Sequence, residues 1–174
     1  SVHGRTVKEM YRSAVHYDAI KQAVDIAACP VLANGDVTSA TRAREILDFT
    51  GAAGVMIGRH AIRNPWIFRQ IREYESTGST TPTPLHQVYD YVRSLFDNLR
   101  NPWVTEKAHV NKMKKFLNFI GQGVDPEGQF IYKARRTQTE SELFSICDEF
   151  MLRPEGGYFA DEPYQGVVAR PNCE

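Results

Sequence analysis

Hydrophobic residues change their period partway along the chain. Up to about residue 75, short β-branched runs alternate with helical repeats, and beyond that only the helical repeat remains. Ser1-Val2-His3 reads as the end of a strand. Residues 17–28 come next, with Ile20, Ala23, Val24 and Ala27 at helical spacing. Pro30 to Ala33 is a second strand, short and continuously apolar. Residues 39–51 are helical, with Thr38 or Ser39 as N-cap, Ala40, Ala43 and Leu47 on one face, and Gly51 as the stop. Residues 54–58, GVMIG, make a third strand, and the segment 64–75 opens a helix with Asn64 as N-cap and Pro65 in the first turn. Strands alternating with helices of this length predict parallel strands joined by right-handed crossovers.

Residues 76–84, STGSTTPTP, form a polar linker between domains. Beyond it, Val88, Val92, Leu95 and Leu99 share one helical stripe, and Val110, Met113, Leu117 and Ile120 share another that ends at Gly121. A capping box, Thr139 with Glu142, starts a third helix that buries Leu143, Ile146, Cys147 and Phe150. Residues 85–152 are therefore expected to be a small helical bundle, with an extended or mobile tail after it over 153–174.

Composition adds exclusions. The 174 residues carry 21 basic and 21 acidic side chains, for zero formal charge, which argues against a uniformly basic nucleic-acid binder but allows a local basic face. The cysteines, Cys29, Cys147 and Cys173, are far apart with no metal-ligand spacing, so no metal site is expected, and their odd number suits a reducing cytoplasm. No apolar run approaches the ~18 residues of a membrane span, and no signal peptide is visible.

The candidate chemistry lies where strands end. In parallel α/β folds, ligands gather at the carboxyl ends of strands, where backbone N–H groups and the N-termini of the next helices favour phosphate. Asn34-Gly35-Asp36 and Gly58-Arg59 occupy two successive strand ends. The glycines permit close backbone approach, Arg59 brings a bidentate cation, and Asn34 and Asp36 offer side-chain hydrogen bonds. Each motif alone also reads as an ordinary turn; together they point to a phosphorylated cofactor.

At these residues the chain resembles the tRNA-dihydrouridine synthases, a family of flavin-dependent oxidoreductases. The matching stretches are SVHGRT, PVLANGDV, GVMIGRHAIRNPWIF, KAHVNKMKKFLNFI and KARR, spread over residues 1 to 152. The resemblance implies the C-terminal part of a (β/α)8 TIM barrel, with about three parallel strands in a partial FMN-binding domain at residues 1–75, and then an all-α tRNA-binding domain. It implies FMN as cofactor, with His3 beside the flavin, Asn34, Gly35 and Asp36 at the ribityl and phosphate, and Gly58 and Arg59 on the phosphate. NADPH would reduce FMN, hydride would pass to C6 of a uracil ring, and a catalytic cysteine would protonate C5. Lys107, Lys114, Lys115, Lys133, Arg135 and Arg136 would contact tRNA. Arg5 either faces the uridine or pairs with a nearby acid, the second reading being preferred.

Two positions depart from the family pattern, His60 in place of glycine and Arg63 in place of a smaller residue. His60 would narrow the phosphate loop or add a hydrogen bond. The family's catalytic cysteine belongs to an earlier half of the barrel, and none of the three cysteines here replaces it, so this chain alone is expected to be inactive. An incomplete sheet would leave open edges, to be covered by the missing half or by self-association. Two other readings remain: a different FMN barrel, disfavoured by the basic helical region, and a non-catalytic RNA- or partner-binding module that uses the helical face alone.

Overall fold

The computed structural model describes residues 1–9 and 13–167. It contains two compact units, one from Ser1 to Thr81 and one beginning at Pro82.

In the first unit, β1 (Val2–His3), β2 (Leu32–Asn34) and β3 (Gly54–Met56) form a parallel sheet in that order. Around it run α1 (Tyr17–Ile26), α2 (Ala40–Thr50), α3 (Arg59–Arg63) and α4 (Ile67–Thr77). Side chains alternate across the sheet. Ala33, with Val2 and Val55 beside it, packs on a core of Ile20, Val37, Ala43 and Ile46. Leu32 and Met56, on the opposite face, stay 40% and 43% exposed. One face is thus filled by helices and the other is open among the described residues.

Local signals set the ends of α2. Ser39 Oγ accepts the Arg42 N–H at 3.0 Å, and Gly51 closes the helix at φ 68°, a conformation glycine adopts without Cβ strain. The buried stripe runs Ala40, Ala43, Ile46 and Thr50, leaving Leu47 half-buried. Asn64 is not an N-cap. It closes α3, lies fully buried, and donates from Nδ2 to Gln70 Oε1 at 2.7 Å, while α4 starts only at Ile67. The five residues of α3 are too few to show a helical period.

In the second unit, α5 (Leu85–Asn98), α6 (Glu106–Ile120), a 3₁₀ turn (Gly121–Gly123), α7 (Gln129–Ala134) and α8 (Glu140–Met151) enclose a separate core. Its centre is Phe96, not Leu95 or Leu99, which are half-buried. The Phe96 ring stacks on His109 at 4.0 Å and meets Phe144 edge-on at 5.2 Å. On α8, Phe144 and Met151 join the buried set and Ile146 is half-buried. Both halves of the Thr139–Glu142 capping box form.

Of the tail expected over 153–174, the described part up to residue 167 is not loose chain, and residues 168–174 lie outside the described residues. Phe159 is buried, its N–H donates to the Thr83 carbonyl at 2.8 Å, and Ala160 N–H donates to Gly123 at 2.9 Å. A Cβ on Gly123 would lie 2.5 Å from the Phe159 ring, so this contact requires glycine. Residues 76–84 are anchored too: Thr81 N–H donates to Glu73 Oε2 at 2.9 Å, and Thr83 is fully buried. No helix among the described residues is long and apolar enough to cross a membrane.

Candidate functional site

Sheet register decides which side chains meet. His3, Asn34 and Met56 are successive cross-strand neighbours at the carboxyl ends of β1, β2 and β3. They lie on the face opposite Ala33, away from the helices. Here a cavity of about 240 Å³ is lined by His3, Arg5, Asn34, Gly35, Asp36, Val37, Met56, Gly58, Arg59 and His60. The six strand-end residues singled out in the sequence thus meet in one place, together with His60.

Five of the strand-end residues have a defined place in shaping this cavity. Asn34 Nδ2 donates to the Met56 carbonyl at 2.8 Å, which ties the end of β2 to β3. Gly35 sits at φ 130°, and a Cβ there would press on Val15 at 2.9 Å. Its carbonyl accepts the Tyr17 hydroxyl at 2.9 Å. Asp36, at φ 46°, is the one non-glycine residue with positive φ among the described residues. His3 Nδ1 accepts the Arg5 N–H at 3.1 Å, which places the ring proton on Nε2. At Gly58 an added Cβ would meet no heavy atom within 4 Å, so the open volume begins at the backbone itself.

Arg5 pairs with an acid, and the acid is Asp36. Its Nη1 and Nη2 reach Oδ1 and Oδ2 at 2.9 and 2.5 Å, and Nε donates to the Ser13 carbonyl at 2.6 Å. The Arg5 side chain is 7% exposed, against 43% for Asp36. The Asp36 bond raises the Arg5 pKa against the opposing effect of burial. Burial disfavours ionised Asp36, but Arg5, with His60 and Arg59 nearby, outweighs it and holds the carboxyl below its ordinary value. Both Asp36 oxygens accept from Arg5, and each keeps a further lone pair for another donor. Nothing in the local sequence signals a pair that spans 31 residues.

Helix N-termini add less than the sequence suggests. The helix after β3 has only five residues, and the opening turn of α2 is capped by its own Ser39. Arg63 is fully buried, with Nη2 donating to the Thr38 carbonyl at 3.1 Å; it supports the loop rather than lining the cavity.

The six cations picked out in the helical unit divide into two groups. The Lys114 amine reaches the Thr137 carbonyl and Asn111 Oδ1, and burial, with nearby Lys107, depresses its pKa against the effect of Glu142. Arg135 Nε donates to Asn118 Oδ1 at 2.8 Å, and Lys133 pairs with Glu149. Lys107, Lys115 and Arg136 are exposed, with the Arg136 guanidinium 3.4 Å above the Tyr132 ring.

Among the described residues, no group of three or more His, Cys, Asp or Glu could hold a metal. Burial pushes the Cys147 thiol up to about 12, which makes it inert, and Cys29 lies before β2, at the end away from the cavity. Cys173 lies outside the described residues.

The dihydrouridine synthase family model matches residues 1–152. The chain belongs to the dihydrouridine synthase family. It is 43% identical over 165 residues to tRNA-dihydrouridine synthase B of Vibrio vulnificus, covering 91% of this chain and 47% of that protein. With tRNA-dihydrouridine synthase B of Klebsiella pneumoniae it shares 44% over 151 residues, 86% of this chain and 47% of the relative. The protein of that name from Pseudomonas putida is 47% identical over 102 residues, 57% of this chain and 29% of its own length. This chain therefore spans at most about half of these family members.

Proposed function

We propose that the chain forms part of an FMN-dependent tRNA-dihydrouridine synthase, with the last strands of a (β/α)8 barrel in its first unit and a tRNA-gripping surface on its helices. One observation carries the reading: the row His3–Asn34–Met56 lines a cavity together with Gly58-Arg59, with open space where a Gly58 side chain would stand. That donor set fits a flavin phosphate. Arg59 takes the phosphate with its planar fork, and Gly58 lets the backbone approach it. His3 offers its Nε2–H toward the ring system. Asp36, clamped by Arg5, holds the β2 loop in shape. When bound and reduced by NADPH, FMN supplies hydride for a uracil ring. The sheet's open edges pair with the remainder of the barrel or, without it, with a second copy.

A target uridine must leave its stack to enter such a cavity, so a second surface must hold the RNA backbone. Lys107, Lys115 and Arg136 do this from exposed positions. Lys114, Lys133 and Arg135 first shape the surface through their internal bonds.

The test is an FMN titration of the purified chain, read by flavin fluorescence, beside Arg59→Ala. Loss of a charge-assisted bond predicts saturable binding weakened by roughly 10- to 100-fold in the variant. Absent binding, or equal affinity in the variant, would contradict the assignment. Neither described cysteine lies at the cavity, so incubation with NADPH, FMN and unmodified tRNA is expected to yield no dihydrouridine; turnover would overturn that part.

A further inference from the structure

Trp103 is the most exposed aromatic side chain among the described residues, at 91%. It is not on a loose loop. Asn101 Oδ1 accepts the Trp103 N–H at 2.9 Å, and the Asn101 carbonyl accepts Val104 N–H at 3.2 Å. Pro102 fixes the intervening φ, and Thr105 then caps α6 through Ala108 N–H. The backbone on both sides is set, and the indole is left standing in water.

The helix beyond Trp103 is basic. α6 carries four lysines and one acid, Glu106, whose carboxylate is turned to the Glu140 N–H at 2.8 Å. Lys107, Asn111, Lys114, Lys115 and Asn118 share one side of the helix, over a length of roughly 16 Å. At the far end Asn118 holds Arg135, and beside that residue Arg136 stacks on Tyr132, itself 54% exposed. A track of cations is thus bracketed by two exposed aromatics.

We propose that Trp103 is a nucleobase-stacking residue, so that this face binds RNA through an unpaired base on the indole and phosphates along α6. The inference rests on the reading of the helices as an RNA grip. Charge selects this occupant. An apolar protein partner would find only Val104 beside Trp103 and would have to desolvate the lysines. Single-stranded nucleic acid needs both an aromatic platform and a cationic track.

The experiment uses the whole chain with Trp66→Phe, which leaves Trp103 as its only tryptophan. An oligouridylate and an unmodified tRNA transcript are titrated at several salt concentrations, with indole fluorescence and RNA anisotropy as readouts. Expected are quenching on binding, affinity lowered about 5- to 100-fold by Trp103→Ala, and near-full retention with Trp103→Phe. Lys107→Glu should flatten the salt dependence while the indole still quenches. Salt-dependent RNA binding with unquenched Trp103 and unchanged affinity in Trp103→Ala would overturn the stacking role and leave the helical RNA grip standing. No RNA binding at low salt would overturn both. Unchanged circular dichroism in the variants excludes misfolding as the cause.

Discussion

The two units bury their apolar residues in opposite ways, and this separates the kinds of site they make. The first fills one face of its sheet and leaves Leu32 and Met56 exposed on the other, so its polar residues converge through strand register on a concave, open face. The second closes its core around Phe96, Met113, Leu117 and Leu143, and its charges stand on a convex helix surface. A register-built site fixes short side chains and backbone to within hydrogen-bond distances. A helix-surface site presents long cations, several already tied to neighbours. The proposed flavin site is of the first kind and the proposed RNA grip of the second.

Core truncation should separate the units most strongly. Phe96→Ala is expected to cost the helical unit about 3–5 kcal/mol in a denaturant titration. Leu32→Ala, on the open face of the sheet, should cost well under 1 kcal/mol; a large loss there would mean that this face is covered in solution.

The Arg5–Asp36 pair comes next. Asp36→Asn keeps a residue that tolerates positive φ but removes the charge, and should cost about 1–2 kcal/mol, discounted for the half-exposed carboxylate. The folded-state pKa of Asp36 is lowered, so its stabilisation is fully present above the unfolded carboxyl's value near 4 and disappears as pH falls through the lowered one. Stability curves of the parent chain and Asp36→Asn should begin to approach one another below about pH 4 and meet only below the lowered value. Curves that stay parallel would show that the pair contributes no pH-dependent stability.

Thr139→Ala removes one half of the α8 capping box and should cost about 1 kcal/mol. Lys133→Ala breaks the exposed pair with Glu149 and should change stability by less than about 1 kcal/mol, while weakening RNA binding measurably at low salt. That last split, affinity without stability, is the mark of a surface site.

Legibility in the sequence divides along the same line. Ser39, Gly51 and the Thr139–Glu142 box are readable because a cap is settled within a few residues. The strand ends are readable because glycine and short polar residues interrupt an apolar run. The five- and six-residue helices α3 and α7 are not, since one turn carries no period. For the same reason Asn64 reads as a cap when it is a buried bridge to Gln70. On α5, Leu95 and Phe96 are adjacent, and only the packed partners His109 and Phe144 decide which turns inward. The clamp of Arg5 on Asp36 and the docking of Phe159 over Gly123 join distant segments, which no local pattern encodes.

A flavin phosphate is proposed to sit at the ends of β2 and β3. The most direct test is a phosphorus NMR titration of FMN with the chain, alongside Arg59→Ala and His3→Ala. A shifted phosphate resonance is expected that is lost in Arg59→Ala but retained in His3→Ala, where the flavin absorbance changes instead. A phosphate resonance that stays at its free position with the parent chain, or shifts equally with Arg59→Ala, would contradict this placement.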